Sequence, residues 1–386
     1  MLWACAPAPA VAATGTAYLP SADTQVLARV PARANDPRTR ELLQLRRAAR
    51  QQPQDVQAAV QLANRYFDEV AAEGDPRYVG YAQAALQPWW HLTEPPVQVR
   101  VLRAQVLQFE HRFSEALADL DGALRQQPDL GRAWAWRTAI LMVQADYAQA
   151  RRSCERMAPL GSALIAAGCT AQVDAATGRA AAAAGALRAA LARHADAAVD
   201  ERLWCLTRLA ETEERLGRTA AAEAAFRQAL ALGLPDVYLQ AAYADFLLDQ
   251  GRTADVLALL KGRGRADVLL LRQALAAKAA RDPSAAALAQ ELAARFAAAQ
   301  QRGDTSHQKE ESRFALVLQG DAARALVLAQ HNFALQREPA DARILLQAAL
   351  AARKPEAARP ALEWLAASGI ESLSLQALAA QLRARQ

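Results

Sequence analysis

From Leu203 to Asp236 apolar residues recur at three- and four-residue steps in two short runs, Leu206, Leu209 and Ala210 in the first and Ala222, Phe226 and Ala229 in the second. That period puts each set on one face of a helix, and Leu216-Gly217-Arg218 interrupts it between the runs. The stretch therefore predicts two short helices, each with a single apolar stripe. Helices this short do not bury both stripes alone, so the unit needs neighbours of its own kind. Stepping along the chain by ~34 residues finds them. Val237 opens a unit with Gly251 where the first has Gly217, and Ser306 and Ala340 open two more, the former with Gly320 and Ala325 in matching places. Upstream, the unit at Val97 has Ala104, Ala116, Ala123 and Pro128 in register, and the unit at Gly131 has Trp134 and Ala150.

The remaining segments read as looser copies. Asp36-Pro37 caps and opens a helix to Gln52, the second half of an incomplete leading unit. Asp55 to Ala72 predicts a helix with Val60, Ala63, Tyr66 and Phe67 inward, and its partner starts at Asp75-Pro76 and runs through Leu86. Pro88-Trp89-Trp90 then predicts a plug between irregular units in preference to an exposed ridge. Ser162 to His194 forms an alanine-rich pair with bulk only at Leu187 and Leu191. Gly262-Arg263-Gly264 truncates a second helix, and Asp267 to Gln300 forms another pair. The second helix of the unit at Ala340 is opened by Pro355 and anchored by Trp364. Glu371 to Arg385 predicts a final helix whose leucines seal the open end.

With Leu203 as the first position, the central unit carries Leu at 7, Ala at 8, Gly at 15, Ala at 20, Phe at 24 and Ala at 27. This pattern resembles the tetratricopeptide repeat, with Glu213 standing where that family has a bulky residue. The resemblance implies an all-α fold, a right-handed α-solenoid of about eight to nine antiparallel helix pairs over residues 36–370. Residues 371–386 would be a C-terminal capping helix, and residues 1–35 a disordered or signal-remnant segment. In that architecture Cys154, at position 24 of one unit, packs beside the next first helix and so lies close to Cys169.

Composition narrows the function. Across 386 residues Lys+Arg 45 against Asp+Glu 40 gives a net charge of only +5, and no basic run interleaved with aromatics appears, which argues against nucleic acid as a partner. No apolar run reaches the length of a membrane span. The N-terminus, with Ala-Pro repeats, Val11-Ala12-Ala13 and a faint lipobox at Leu2-Trp3-Ala4-Cys5, resembles the tail of a bacterial secretory signal. Export to the periplasm is one expectation and a cytoplasmic protein with a loose tail the other. Cys5, Cys154, Cys169 and Cys205 have no zinc-site spacing, so a disulfide is expected only after export and buried single thiols otherwise.

Catalysis needs converging polar groups, and none are apparent: no nucleophile has an adjacent base, no Gly-rich loop follows a strand, and no cofactor site is expected. His307 and Glu311 lie one helical turn apart, but without a second histidine a solvated helix face is the expectation rather than a metal site. The resemblance instead implies a non-catalytic binding module that holds a protein, a peptide or a partner helix in a concave groove lined by positions 2, 5, 9 and 12 of each first helix. Those positions supply Asn64 and Gln105 in the early units and Trp204, Glu211, Glu214, Tyr238, Asp245, His307 and Glu310 in the later ones. The family's lysine-asparagine carboxylate clamp is absent, because position 5 is Asn64, Val101, Ala135 and Thr207 in successive units. An acidic, aromatic later lining would attract a basic or amphipathic segment, unless arginines of adjacent helices neutralise it. The alternative is an accessory subunit of an envelope or enzyme complex, binding through its outer faces.

Overall fold

The computed structural model describes residues 22, 36–303 and 307–385, and every regular element among them is helical. The segment expected to be a signal remnant and Cys5 therefore lie outside the described residues, Ala22 apart, as does the first residue of the unit at Ser306. The chain divides into two compact units, one ending at Gln44 and one beginning at Leu45. In the first, the Asp36 carboxylate accepts from the backbone N–H and the hydroxyl of Thr39, capping α1 (Pro37–Gln51), which runs on past the boundary.

The second unit is a solenoid of helix pairs. After α2 (Val56–Glu73), α3 (Arg77–Ala85) and the short α4 (Gln87–Trp90) come α5 (Val97–Phe109) with α6 (Phe113–Gln126), α7 (Gly131–Val143) with α8 (Tyr147–Met157), and α9 (Ala163–Ala176) with α10 (Ala180–Arg193). The central pair is α11 (Val199–Arg215) with α12 (Thr219–Ala231), followed by α13 (Val237–Asp249) with α14 (Thr253–Leu259) and α15 (Asp267–Ala280) with α16 (Ala285–Gln301). Then α17 (Gln308–Arg313) passes into a π-helical turn, Phe314–Gln319, and packs on α18 (Ala322–Leu335). The last elements are α19 (Pro339–Ala351), a 3-10 turn at Pro355–Ala358, α20 (Arg359–Ser368) and α21 (Leu373–Arg383).

The small residues of the repeat register sit where the backbones come closest: Ala104, Ala116, Ala123, Ala210, Ala222 and Ala229 are all at most 1% exposed, and Phe226 fills the space beside them at 0%. Trp89 is buried, in keeping with a plug, and α14 stops at Leu259 just before the Gly262-Gly264 interruption. Asp55, Asp146, Asp236, Asp321, Ser162 and Ser372 cap helix N-termini with side-chain oxygens.

Every turn within a pair from α5 onward contains one left-handed residue: His111, Ala145, Gly178, Gly217, Gly251, Arg281, Gly320 and Arg353 have φ between 55° and 76°. The N–H that follows reaches back to a carbonyl one turn earlier, as in Arg112 to Leu107, Asp146 to Leu141, Arg218 to Glu213 and Lys354 to Ala349, at 2.8–3.0 Å. This closes orphan carbonyls at the helix end and reverses the chain in a fixed way. Where the π-helical turn adds a residue, the bond lengthens its reach by one, from Asp321 to Ala315.

The departure at Glu213 is structural. Its carboxylate is buried and receives Arg188 from α10 and Arg218 from its own turn, at 3.3 Å for the latter. A second tight place is Gly168 on α9, where a Cβ would stand 2.4 Å from the Trp204 ring. The Cys154–Cys169 pair does more than approach. With Cα atoms 5.7 Å apart the two are joined in a disulfide across α8 and α9, and Cys205 is the free thiol among the described residues.

The solenoid of this unit closes on itself. A Cβ at Gly74 would stand 2.7 Å from Ala266, so the end of α2 meets the segment before α15. The later helices return to the earlier ones: the Arg337 N–H donates to Val143 O at 2.8 Å, the Trp364 indole N–H to the Tyr147 hydroxyl at 3.1 Å, and the Ala180 N–H to the Glu371 carboxylate. Leu373 of α21, though largely exposed, stands against Gly217 at the turn between α11 and α12.

Candidate functional site

The return of the later helices leaves a half-open cavity of about 830 Å3 on the inner side of the first helices. Of the residues expected to line a groove, it gathers Glu211, Glu214, Tyr238, Asp245, His307 and Glu310. It does not gather Trp204, which packs on Gly168 in the helix interface, or Gln105, which is buried beside Arg132 of α7. Asn64 is also outside it, with a buried side-chain oxygen that has no partner among the described residues.

The carboxylates are answered by cations from α15, α17 and α19. Asp245 accepts from Arg272 and Arg313, each at 2.6 Å, and although burial works against its charge, the two guanidiniums hold it ionised well below the usual range. Arg343 of α19 forks onto Asp249 of α13, with one contact of 2.6 Å. Glu211 pairs with Arg208 at 3.1 Å and accepts from the Tyr238 hydroxyl at 2.5 Å, while the Arg208 guanidinium lies 4.6 Å from the centre of the Tyr238 ring. Tyr238 lines the cavity with 53% of its surface accessible, yet desolvation by the protein packed around it, with Glu211 and Glu338 adding to it, pushes its phenol well above its ordinary value against the pull of Arg208. Burial opposes the charge of Glu310, yet Lys309 and Arg272 outweigh it and lower its pKa. Lys309 has buried Asp341 at 3.7 Å.

Two neighbours on α11 differ. The Glu214 carboxyl has no hydrogen bond or ion pair among the described residues; burial, then Asp249, Glu211 and Asp245, push it up to about 8 against the opposing pull of Arg343. Arg215 is in no ion pair among the described residues, feels Glu211 only at longer range, and donates to Ala175 O at 3.3 Å and the Thr212 hydroxyl at 3.5 Å. Glu311, considered above with His307, turns instead to Arg324 and Gln300. Among the described residues no cluster has the make-up of a metal site, and no helix is long and apolar enough to cross a membrane.

The arginines were the missed half of this lining. Arg208 and Arg215 lie three and four residues either side of Glu211, so the helical period already placed them on one face. Nothing local pointed to Arg343, which reaches Asp249 across 94 residues.

No family model matches the sequence, and no curated protein is similar to it. Solved structures resemble it distantly. The Cut9–Hcn1 hetero-tetramer of APC/C shares 12% identity and a TM-score of 0.48 over 85% of this chain, which spans 64% of that one. A tetratricopeptide repeat protein from Parabacteroides merdae shares 13% identity and a TM-score of 0.37, over 75% of this chain and 98% of its own. The human IFIT1 dimer with m7Gppp-AAAA shares 13% and 0.40, over 91% and 87%. Such likenesses stop at stacked helix pairs. By its own paired helices, buried alanine register and recurring left-handed turn, the chain is a tetratricopeptide-like repeat protein, an all-α solenoid.

Proposed function

We propose that the protein is a non-catalytic interaction scaffold that meets protein partners through the outer faces of its helix pairs, as an accessory subunit of a larger assembly. The observation that carries this reading is the occupied inner side: the groove face of α13 is already met by α17 and α19 through Arg313–Asp245 and Arg343–Asp249. A basic segment entering there must compete with cations of the chain itself. The groove reading retains one support, the cavity that persists between these walls, which would admit a basic or amphipathic segment once the closing helices swing away. The Cys154–Cys169 disulfide favours an oxidising compartment such as the periplasm over the cytoplasm.

The test is the triple variant Glu211→Lys, Glu214→Lys, Asp245→Lys, with circular dichroism as a check on folding and pull-down partners titrated against it. Unchanged affinity supports the outer faces. A lower affinity with a flattened salt dependence supports the groove.

A further inference from the structure

The charges around the cavity are sorted. Asp245, Asp249 and Glu211 are each taken by arginines, and Lys309 by Asp341. Glu214 is left over, facing α13 and α19, where its charged neighbours are Asp249, Asp245, Glu211 and Arg343. Arg215 is in no ion pair among the described residues and lies in another direction, toward Ala175 of α9 and Tyr147, with Glu211, already held by Arg208 and Tyr238, as its main attracting carboxylate. Arg337 joins that second place: it lines the same cavity, its exposed side chain is in no ion pair among the described residues, and Tyr147 feels the carboxylate of Glu338 and then the charge of both arginines. The cavity thus has one pole with an unpaired carboxyl and another where two guanidiniums outside any ion pair outnumber the one nearby carboxylate, Glu338, beside a phenol. Ala175, Leu187, Leu248, Ile344, Ile370 and Leu375 supply apolar wall.

Tyr147 and Arg337 also line a second pocket of about 630 Å3, whose rim includes the exposed Glu363 and Ala367.

We infer that the cavity is a binding site for a small zwitterion with an apolar body, an unblocked amino acid or short apolar peptide, with its ammonium group at Glu214 and its carboxylate at Arg215 and Arg337. A cation alone would leave the excess positive charge of the two guanidiniums unanswered, and an anion alone would leave Glu214, protonated in the empty site, without the partner that lets it ionise. A ligand with both charges answers both poles at once, and its apolar part displaces water from the alanine and leucine wall. The cavity volume falls within the ~300–1,000 Å3 usual for small-molecule sites. This assignment is independent of where protein partners dock.

Calorimetry on the full chain with leucine, dileucine, N-acetyl-dileucine and dileucine amide tests it. The expected result is binding of leucine or dileucine, with acetylation and amidation each weakening it at least tenfold. Glu214→Gln is expected to abolish the discrimination against the acetylated form, and Arg215→Gln with Arg337→Gln the discrimination against the amide. The comparison among the four probes uses the unmodified protein, so it stands even if a variant fails to fold. No heat from leucine or dileucine up to about 10 mM, or equal binding of capped and uncapped forms, overturns the assignment.

Discussion

Glu213 and Glu214 are consecutive and both half or fully enclosed, yet their surroundings assign them opposite states. Glu213 is buried between two arginines that are themselves largely in solvent, at 55% and 46% side-chain exposure. Removing Arg188 and Arg218 strands a buried charge, whereas replacing Glu213 by leucine restores the bulky residue the repeat pattern calls for. The expected outcome in urea unfolding is a loss of ~3 kcal/mol for Arg188→Ala with Arg218→Ala and a change near zero for Glu213→Leu. Glu214 has no such partner, and its folded pKa of about 8 lies above the ordinary value of 4.5. The unfolded chain therefore gives up this proton first as pH rises: the stability associated with protonated Glu214 is intact below about 4.5, erodes above it and is gone past about 8. Glu214→Gln should be indistinguishable from the parent at pH 4 and more stable at pH 8, by on the order of 2–4 kcal/mol.

At the scale of elements, the pattern of apolar residues was enough to place both helices of the central pair and the short α14, because burial of one stripe is a local demand. The turns were legible only where glycine stood in them. Gly217, Gly251 and Gly320 marked three units, while His111, Ala145, Arg281 and Arg353 adopt the same left-handed geometry without the residue that advertises it. There the packing of the two helices imposes the conformation and the side chain tolerates it. Arg281 is exposed and in no ion pair among the described residues, so Arg281→Gly should relieve that strain at little other cost. A left-handed L-residue costs ~1–2 kcal/mol and glycine returns ~0.5–1 kcal/mol of that as chain entropy. The expected gain is up to about 1 kcal/mol, read as a rise of roughly 2 °C in melting temperature.

For the whole repeat unit, the reach of the closing contacts exceeds anything periodicity can report. Curvature accumulates from small rotations at each pair and from irregular joints such as the Gly262–Gly264 break, and no single residue encodes the sum. The carboxylates of the candidate site could be read from their register, but the arginines of α15, α17 and α19 could not be assigned to them without the closure. An open array of repeats unfolds piecewise and tolerates loss of a terminal unit. Here the bonds from Tyr147 to Trp364 and from Ala180 to Glu371 span 217 and 191 residues. A chain ending at Leu335 is therefore expected to lose protection from proteolysis around α7, α9 and α11, far from the cut in sequence. A cut that left those helices as protected as before would show that they stand without the return segment. The disulfide contributes separately: by closing a 15-residue loop it should add ~3 kcal/mol, so Cys154→Ala with Cys169→Ala should shift the urea midpoint accordingly.

Closure also sets a timetable for biosynthesis. Arg343 follows its partner Asp249 by 94 residues, which a ribosome adds in roughly 5–20 s at ~5–20 residues per second. For that interval the nascent chain holds a half-built trough of carboxylates and alanines open to the cell, and the helices that cover it arrive last, so that any factor able to bind this inner face has its opportunity before translation ends.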